Sequence, residues 1–376
     1  MEYLRIRASF PIVKHKVFLN HAAQSPLPKP VADVMHKWVE NYSNFGAPLL
    51  DSFDFGKSLF SKLVNAKPEE IALVENTSTG LNIAANVLYY PPGSKIVTTD
   101  LEYPSVVYPW LGKSSGVKIQ YVKNKDGRIL LEDVENAVDD NTVAVAVSHV
   151  EYVNGFRNDL KALSEIAHSH GAYLIVDAIQ SAGVIPIDVK KDDVDFLTTA
   201  CYKWLLGPPG AAYLYVKEEL IEKLEPPFVG WASVKQDIFD TFDFWDIWSL
   251  RLSETASRFE VGTPSIISFV GAAEGLKMLL EFGIENIEKR ILKLTDQVVQ
   301  AVKALNLQLQ TPEELPYRSG IVNFKMEKLK EVLNHLRRMN IVVSARANGI
   351  RVSPHFYNTA EEIDKFIDEV RKIGKL

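Results

Sequence analysis

The chain has one cysteine, Cys201, in 376 residues. A single thiol excludes internal disulfides and Cys-x-x-Cys metal knuckles, and it fits a reducing, cytoplasmic setting. Long apolar runs are also missing. No charge-free stretch reaches the length of a bilayer-spanning helix. At the N-terminus, MEYLRIRASFPIVKHK interleaves charges with apolar residues where a signal peptide would have an unbroken apolar centre. Positive charge is in deficit: the net charge of −6 argues against nucleic acid or an anionic membrane as the main partner. The motifs G-x-G-x-x-G, G-x-x-x-x-G-K-[ST], H-E-x-x-H and G-x-S-x-G are absent, so dinucleotide enzymes, P-loop NTPases, zincins and α/β-hydrolases lose their signatures. There is no internal repeat, charge block or Ser/Gly linker.

What is present reads as a globular enzyme of two domains, 47% hydrophobic and 24% charged. Between about residues 68 and 216, short apolar runs alternate with helical periodicity. KIVTTD (95–100), TVAVAVSHV (142–150), AYLIVDA (172–178), VDFLTTA (194–200) and AAYLYV (211–216) read as strands buried on both faces. DLKALSEIAHSH (159–170) reads as a helix with Asp159 as N-cap and Gly171 beyond its end. This alternation predicts an α/β fold with a large, mostly parallel sheet. From about residue 265 two amphipathic helices are followed by SGIVNFKM and GIRVSPHFYNTAEEIDKFIDEVRKI, a smaller α+β unit. The expected division is a large domain over 16–264 and a small one built from 1–15 and 265–376.

The chemistry centres on a lysine. TTACYKWLLGPPGAAYLYV sets Lys203 among aromatics at the end of one strand and before another. Such a lysine either snorkels its charge to water or, when buried, becomes an amine nucleophile. In open α/β sheets ligands bind beyond the carboxyl ends of the strands. There the strand AYLIVDA ends in Asp177, followed by Gln180, 26 positions before the lysine at the end of its own strand. Asp177 alone is as readily a loop cap as a site carboxylate. Thr77, Ser78, Thr79 and Gly80 stand where a loop turns into a helix, an ordinary cap or an anion site. Tyr103 is a stacking platform or a core aromatic. Together they fit one cofactor, pyridoxal phosphate, which needs an amine to form an imine, a carboxylate at its ring nitrogen, a phosphate cradle and a stacking partner.

At this point the chain resembles the class V aminotransferases among the fold type I pyridoxal-phosphate enzymes, a group with an aspartate aminotransferase-like fold. The group includes cysteine desulfurases, isopenicillin N epimerase-like proteins and kynureninases. The resemblance runs from FLNHAAQSPLPKPV through NTSTGLN, VDAIQSAG and YKWLLGPPG to RFEVGTPSI and GIRVSPHFYNTAEEID. It implies that Lys203 carries the cofactor as a Schiff base. Asp177 and Gln180 then meet the pyridine nitrogen and ring hydroxyl, Thr77 and Ser78 hold the phosphate, and Tyr103 stacks on the ring. Thr263 reaches the phosphate of the other subunit in a homodimer, and Arg351 grips the substrate carboxylate.

The departures from the family pattern carry information. Ala200 replaces a serine three residues before the lysine, leaving Tyr202 as a candidate phosphate contact. HVEYVNG offers Tyr152 where relatives have an asparagine, with Asn154 as a candidate substitute. NIVVSARANGIRVSP has no cysteine to take up a persulfide, and Cys201 reads as a packing residue. Arg346 in the same stretch is a second anion contact or a solvated arginine. The expectation is therefore an enzyme acting on an α-amino acid small molecule, an aminotransferase first, with a lyase or epimerase of the same family as the alternative. A non-catalytic binding protein would not need this residue set, and a cofactor-free lysine-imine enzyme would leave Asp177 and the NTSTG turn unexplained. No metal is expected.

Overall fold

The computed structural model describes residues 2–46, 52–112, 116–235 and 248–374. Seven strands form the main sheet: β2 (Ile71–Val74), β3 (Lys95–Thr99), β4 (Lys118–Val122), β5 (Thr142–Ser148), β6 (Tyr173–Asp177), β7 (Phe196–Ala200) and β8 (Ala212–Val216). They follow β1 (Val17–Phe18), a two-residue strand outside this sheet. The strand order is β2-β8-β7-β6-β5-β3-β4, with β8 antiparallel to both neighbours and the other pairings parallel. The five strands expected from the sequence all form, one or two residues shorter at their ends. The sequence reading passed over β2 and β4; β4 is largely exposed and carries Lys118 and Gln120 among its apolar residues, so it lacks the apolar-run signal.

Alternation along the strands shows why the sheet is covered on both sides. Val145 and Val147 of β5 and Leu174 and Val176 of β6 point into one core. Ala144, Ala146 and Ile175 point into the other, beneath the helices Thr77–Val87 and Pro104–Leu111. Residues of both parities are buried, so the runs read as continuously apolar. The helix Leu160–Ser169 is capped as expected: the Asp159 carboxylate accepts from the Ala162 N–H at 3.1 Å, and Gly171 takes φ 72° beyond its end.

The C-terminal part builds a second, smaller sheet. β9 (Val322–Lys325), β11 (Ser344–Arg346) and β12 (Gly349–Val352) are antiparallel in the order β11-β12-β9, while β10 (Ile341–Val342) pairs in parallel with β1. Helices Ile284–Ala304, Leu329–Arg338 and Ala360–Gly374 close a separate core around Phe324, Val352 and Phe366. The N-terminal segment bridges to it: Arg7 pairs with Glu362 of the last helix at 2.8 Å, while Phe10 stacks on Tyr357 at 3.8 Å within the core of the main sheet. The helix Ile266–Phe282, which the sequence reading places with the smaller domain, lies against the helices Lys29–Phe45 and Ser52–Val64. Its Phe269, Ala272 and Leu276 join the core of the main sheet.

Helix Thr77–Val87 presses on β7 at a glycine. A Cβ on Gly80 would lie 2.2 Å from Thr198 Oγ1 and 2.8 Å from Thr198 Cβ, so only hydrogen fits there. The close approach brings the start of that helix to the carboxyl end of the sheet. Gly80→Ala should therefore cost about 1–3 kcal/mol through overpacking. A lowered urea midpoint at unchanged slope would show it; an unchanged midpoint would mean that the helix is free to move off the sheet.

Candidate active site

The carboxyl ends of β3, β5, β6 and β7 open on a cleft of about 480 Å³. Its walls include Thr77, Ser78, Tyr103, Asp177, Gln180, Tyr202 and Lys203 from the sheet side, and Arg346 and Arg351 from the β11–β12 hairpin. Nine of the ten residues singled out in the sequence meet in this one space. The tenth, Thr263, is exposed and does not line it.

Lys203 sits in the connection from β7 to β8. That connection is held tightly: the Gly207 N–H donates to the Cys201 carbonyl at 2.9 Å and the Ser25 N–H to the Tyr202 carbonyl at 2.8 Å. Leu206, fully buried, takes φ 60°, a conformation a branched side chain adopts only where surrounding packing imposes it. Burial pushes the Lys203 amine down to about 8, helped by the positive charges of Arg351 and Arg346 and opposed by Asp177. An appreciable neutral fraction therefore exists near pH 7, which makes this amine a nucleophile.

Asp177 closes β6 and is buried. Burial raises its carboxyl to about 6, against the pull of the Ile179 N–H, which it accepts at 2.8 Å, and of Lys203. A cation held against it would return it to the ionised range. Gln180 is pinned: its oxygen accepts from the Trp204 indole N–H at 2.9 Å, and its amide donates to the Ala22 carbonyl at 3.0 Å. One amide N–H is left over.

The turn expected to cradle a phosphate carries more hydroxyls than the sequence reading gives it, in a different arrangement. The N-cap of Thr77–Val87 is Asn76, whose side chain accepts from the Thr79 N–H at 2.9 Å. The Thr77 hydroxyl accepts from the Ala200 N–H at 3.0 Å, tying the helix start to the strand end. Ser78 Oγ lies 2.8 Å from Ser105 Oγ. Ser105 is in the first turn of Pro104–Leu111, so two helix N-termini converge on one pair of hydroxyls. The sequence reading missed Ser105, although the proline at the start of that helix marks the turn.

Tyr152, not Asn154, faces the cleft. Asn154 donates to the Gly127 carbonyl at 2.6 Å and accepts from the Phe156 N–H, fixing its own loop. Tyr152 meets Tyr103 edge-to-face with ring centroids 5.1 Å apart. Two further acids, Glu102 and Glu151, support this wall. Glu102 accepts from both the N–H and the hydroxyl of Ser148, at 2.7 and 2.6 Å, linking the end of β3 to that of β5. Burial lifts Glu102 to about 8, and burial with the Glu102 charge also raises Glu151, so this pair retains a proton at neutral pH. Nothing in their local sequence announces the pair, because Glu102 and Glu151 are brought together only by the adjacency of β3 and β5.

Arg351 is almost fully buried. Its Nε donates to Ser344 Oγ at 3.2 Å and its Nη1 to the Tyr152 carbonyl at 2.8 Å, while Nη2 is buried with no partner. A buried guanidinium with an orphaned nitrogen and no carboxylate from the described residues fits an anionic ligand. Cys201, in contrast, is fully buried and free, with its thiol pushed up by burial.

These residues fit pyridoxal phosphate: an amine of lowered pKa, a buried carboxylate for the ring nitrogen, an amide N–H for the ring hydroxyl and a hydroxyl-lined pair of helix N-termini for the phosphate. The apoenzyme should take up the cofactor covalently at a rate that rises with pH and levels off near pH 9, about one unit above the Lys203 value of about 8, where the amine is mostly neutral. An ordinary lysine would keep gaining up to about pH 10.4. Stopped-flow absorbance of the apoenzyme mixed with pyridoxal phosphate measures this; a rate still rising steeply above pH 9.5 would refute the lowered pKa.

The family model for class V aminotransferases matches residues 17–366. A Bacillus subtilis protein named an uncharacterized aminotransferase is 33% identical over 98% of both chains. A probable cysteine desulfurase of Pyrococcus abyssi is 29% identical over 98% of this chain and 97% of its own. The apo structure of a cysteine desulfurase from Thermococcus onnurineus superposes with a TM-score of 0.89 at 28% identity, covering 99% of this chain and 98% of its own. The fold is thus that of the fold type I enzymes, the cofactor is pyridoxal phosphate, and the chain belongs to the class V aminotransferase family.

Proposed function

We propose that the protein is an aminotransferase acting on an α-amino acid. The observation that carries the reading is the orphaned Nη2 of Arg351 in the cleft that holds Lys203. When bound, pyridoxal phosphate supplies the electron sink that makes the substrate α-hydrogen acidic. Arg351 then holds the α-carboxylate, and its fixed bonds to Ser344 and Tyr152 set the orientation. The Lys203 amine, in its neutral form, would take the α-proton and return it. Asp177 keeps the ring nitrogen protonated. Gln180 orients the ring through its free N–H, Tyr103 stacks on it, and Thr77 and Ser78 hold the phosphate. Tyr202 offers the phosphate the hydroxyl that an alanine at position 200 does not have.

Desulfuration is disfavoured by this chain's own geometry, although several relatives carry that name. A persulfide relay needs an accessible thiolate, and the one thiol is sealed in the core. The segment between β11 and β12, where a mobile cysteine arm would stand, is a two-residue turn of Ala347 and Asn348. A lyase or epimerase of the same family remains the second reading, favoured by those relatives' names. The buried free thiol suits a cytoplasmic setting.

The enzyme is proposed to act as a homodimer. Thr263 is exposed on a surface that also carries Trp231 and Val261, apolar side chains about half exposed, and Phe228, more so. A second copy would cover these and bring its own Thr263 to the phosphate. Sedimentation should show a dimer, and Thr263→Ala should weaken cofactor retention about tenfold. A monomer with full cofactor occupancy would overturn the shared site.

The function itself is tested by offering amino acids together with 2-keto acids, and separately cysteine with a reductant. Transfer of the amino group to the keto acid is expected, with sulfide release at most about 1% of that rate. Rapid sulfide release that disappears in Cys201→Ser would overturn the reading, and keto-acid-independent breakdown of the amino acid would favour the lyase.

A further inference from the structure

The β11–β12 hairpin places two guanidinium groups on one face. Ser344 pairs with Arg351 and Arg346 with Gly349, so Ser344, Arg346, Gly349 and Arg351 share a side of the ribbon. Both arginines line the cleft, and neither has a carboxylate partner among the described residues. Each also faces the positive charge of the other, and both face Lys203. Three cations against Asp177 as the one carboxylate lining that wall is an arrangement that folding alone disfavours.

The hairpin is built to keep Arg346 there. Ala347 and Asn348 both take positive φ, 47° and 57°, the geometry of a tight two-residue turn that is unfavourable for alanine. Behind it, the buried Asn323 donates to the Arg346 carbonyl at 3.1 Å and Gln310 to the Ala347 carbonyl at 3.3 Å. Arg346 spends one nitrogen on the Ala345 carbonyl, at 2.6 Å; its Nε and Nη2 have no partner among the described residues. The free donors of Arg351 suffice for one carboxylate. Those of Arg346 are then left for a second anion, while the cofactor phosphate is met by the helix N-termini with Ser78 and Ser105.

Building on the aminotransferase reading, we infer that the substrate is a dianionic amino acid, one whose side chain ends in its own carboxylate: Arg351 takes the α-carboxylate and Arg346 the distal one. Monocarboxylic amino acids leave Arg346 facing Arg351 uncompensated.

The test is calorimetric titration of the holoenzyme with unreactive acids of matched length, succinate against butyrate and glutarate against valerate, alongside donor assays with aspartate, glutamate, 2-aminobutyrate and norvaline. Dicarboxylates should bind at least tenfold more tightly than their monocarboxylate partners, and the acidic donors should exceed the neutral ones at least 100-fold in kcat/KM. Arg346→Gln should collapse both ratios towards one, and Arg346→Lys should keep part of each. Equal binding of the two acid classes by the wild type, or ratios unchanged in Arg346→Gln, would overturn the inference. If monocarboxylates still depend on Arg351, shown by their loss in Arg351→Gln, the aminotransferase reading survives that failure. If no amino acid perturbs the cofactor absorbance and Arg351→Gln changes no binding, both fall together.

Discussion

Charge balance among buried groups facing one cleft is the constraint around which this molecule is organised. Lys203 and Asp177 end neighbouring parallel strands and influence each other across the space between. Each is pushed by burial towards its neutral form, and each pulls the other back towards ionisation. Lys203 and Asp177 would hold a cationic cofactor ring between them, and its charge would relieve both strains at once. The positions of the other cleft residues follow from that need. In the proposed site the hydroxyls of Ser78 and Ser105 would receive the phosphate, the pinned Gln180 would orient the ring, and the tyrosine pair would bound its face.

The scaffold makes these positions firm. Parallel strands buried on both sides cannot shift register without driving apolar side chains into the wrong layer, so the strand ends form a fixed rim. The connection bearing Lys203 is bonded to the Ser25 segment on one side. On the other it meets His355, whose ring bonds the Trp204 carbonyl. Residues far apart in the chain thus hold the lysine loop from two directions, and Trp204 passes that constraint to Gln180. The buried acids Glu102 and Glu151, both held towards their neutral forms by burial, play a similar part. Glu102, bonded to Ser148, ties the ends of β3 and β5.

Two local features bear on the proposed chemistry. A two-residue turn joins β11 to β12, and the one cysteine is used for packing. The same turn fixes Arg346 beside Arg351.

How much was legible in the sequence depended on the range of the interaction. Runs such as AYLIVDA and TVAVAVSHV determined their strands, because burial on both faces leaves an unbroken apolar signature. Asp159 and Gly171 marked a helix by local hydrogen bonding and backbone freedom. Lys203, Asp177, Gln180 and Arg351 were legible because each closes or follows such an element in a recognisable short motif. Ser105 opposite Ser78, Tyr152 in place of Asn154, the neighbouring buried acids Glu102 and Glu151, and the shared face of Arg346 and Arg351 were decided by tertiary structure alone. These depend on which strands lie side by side and on hairpin register. Those relations join residues tens to hundreds of positions apart, or turn on whether a loop has two residues or more, and no local periodicity records them.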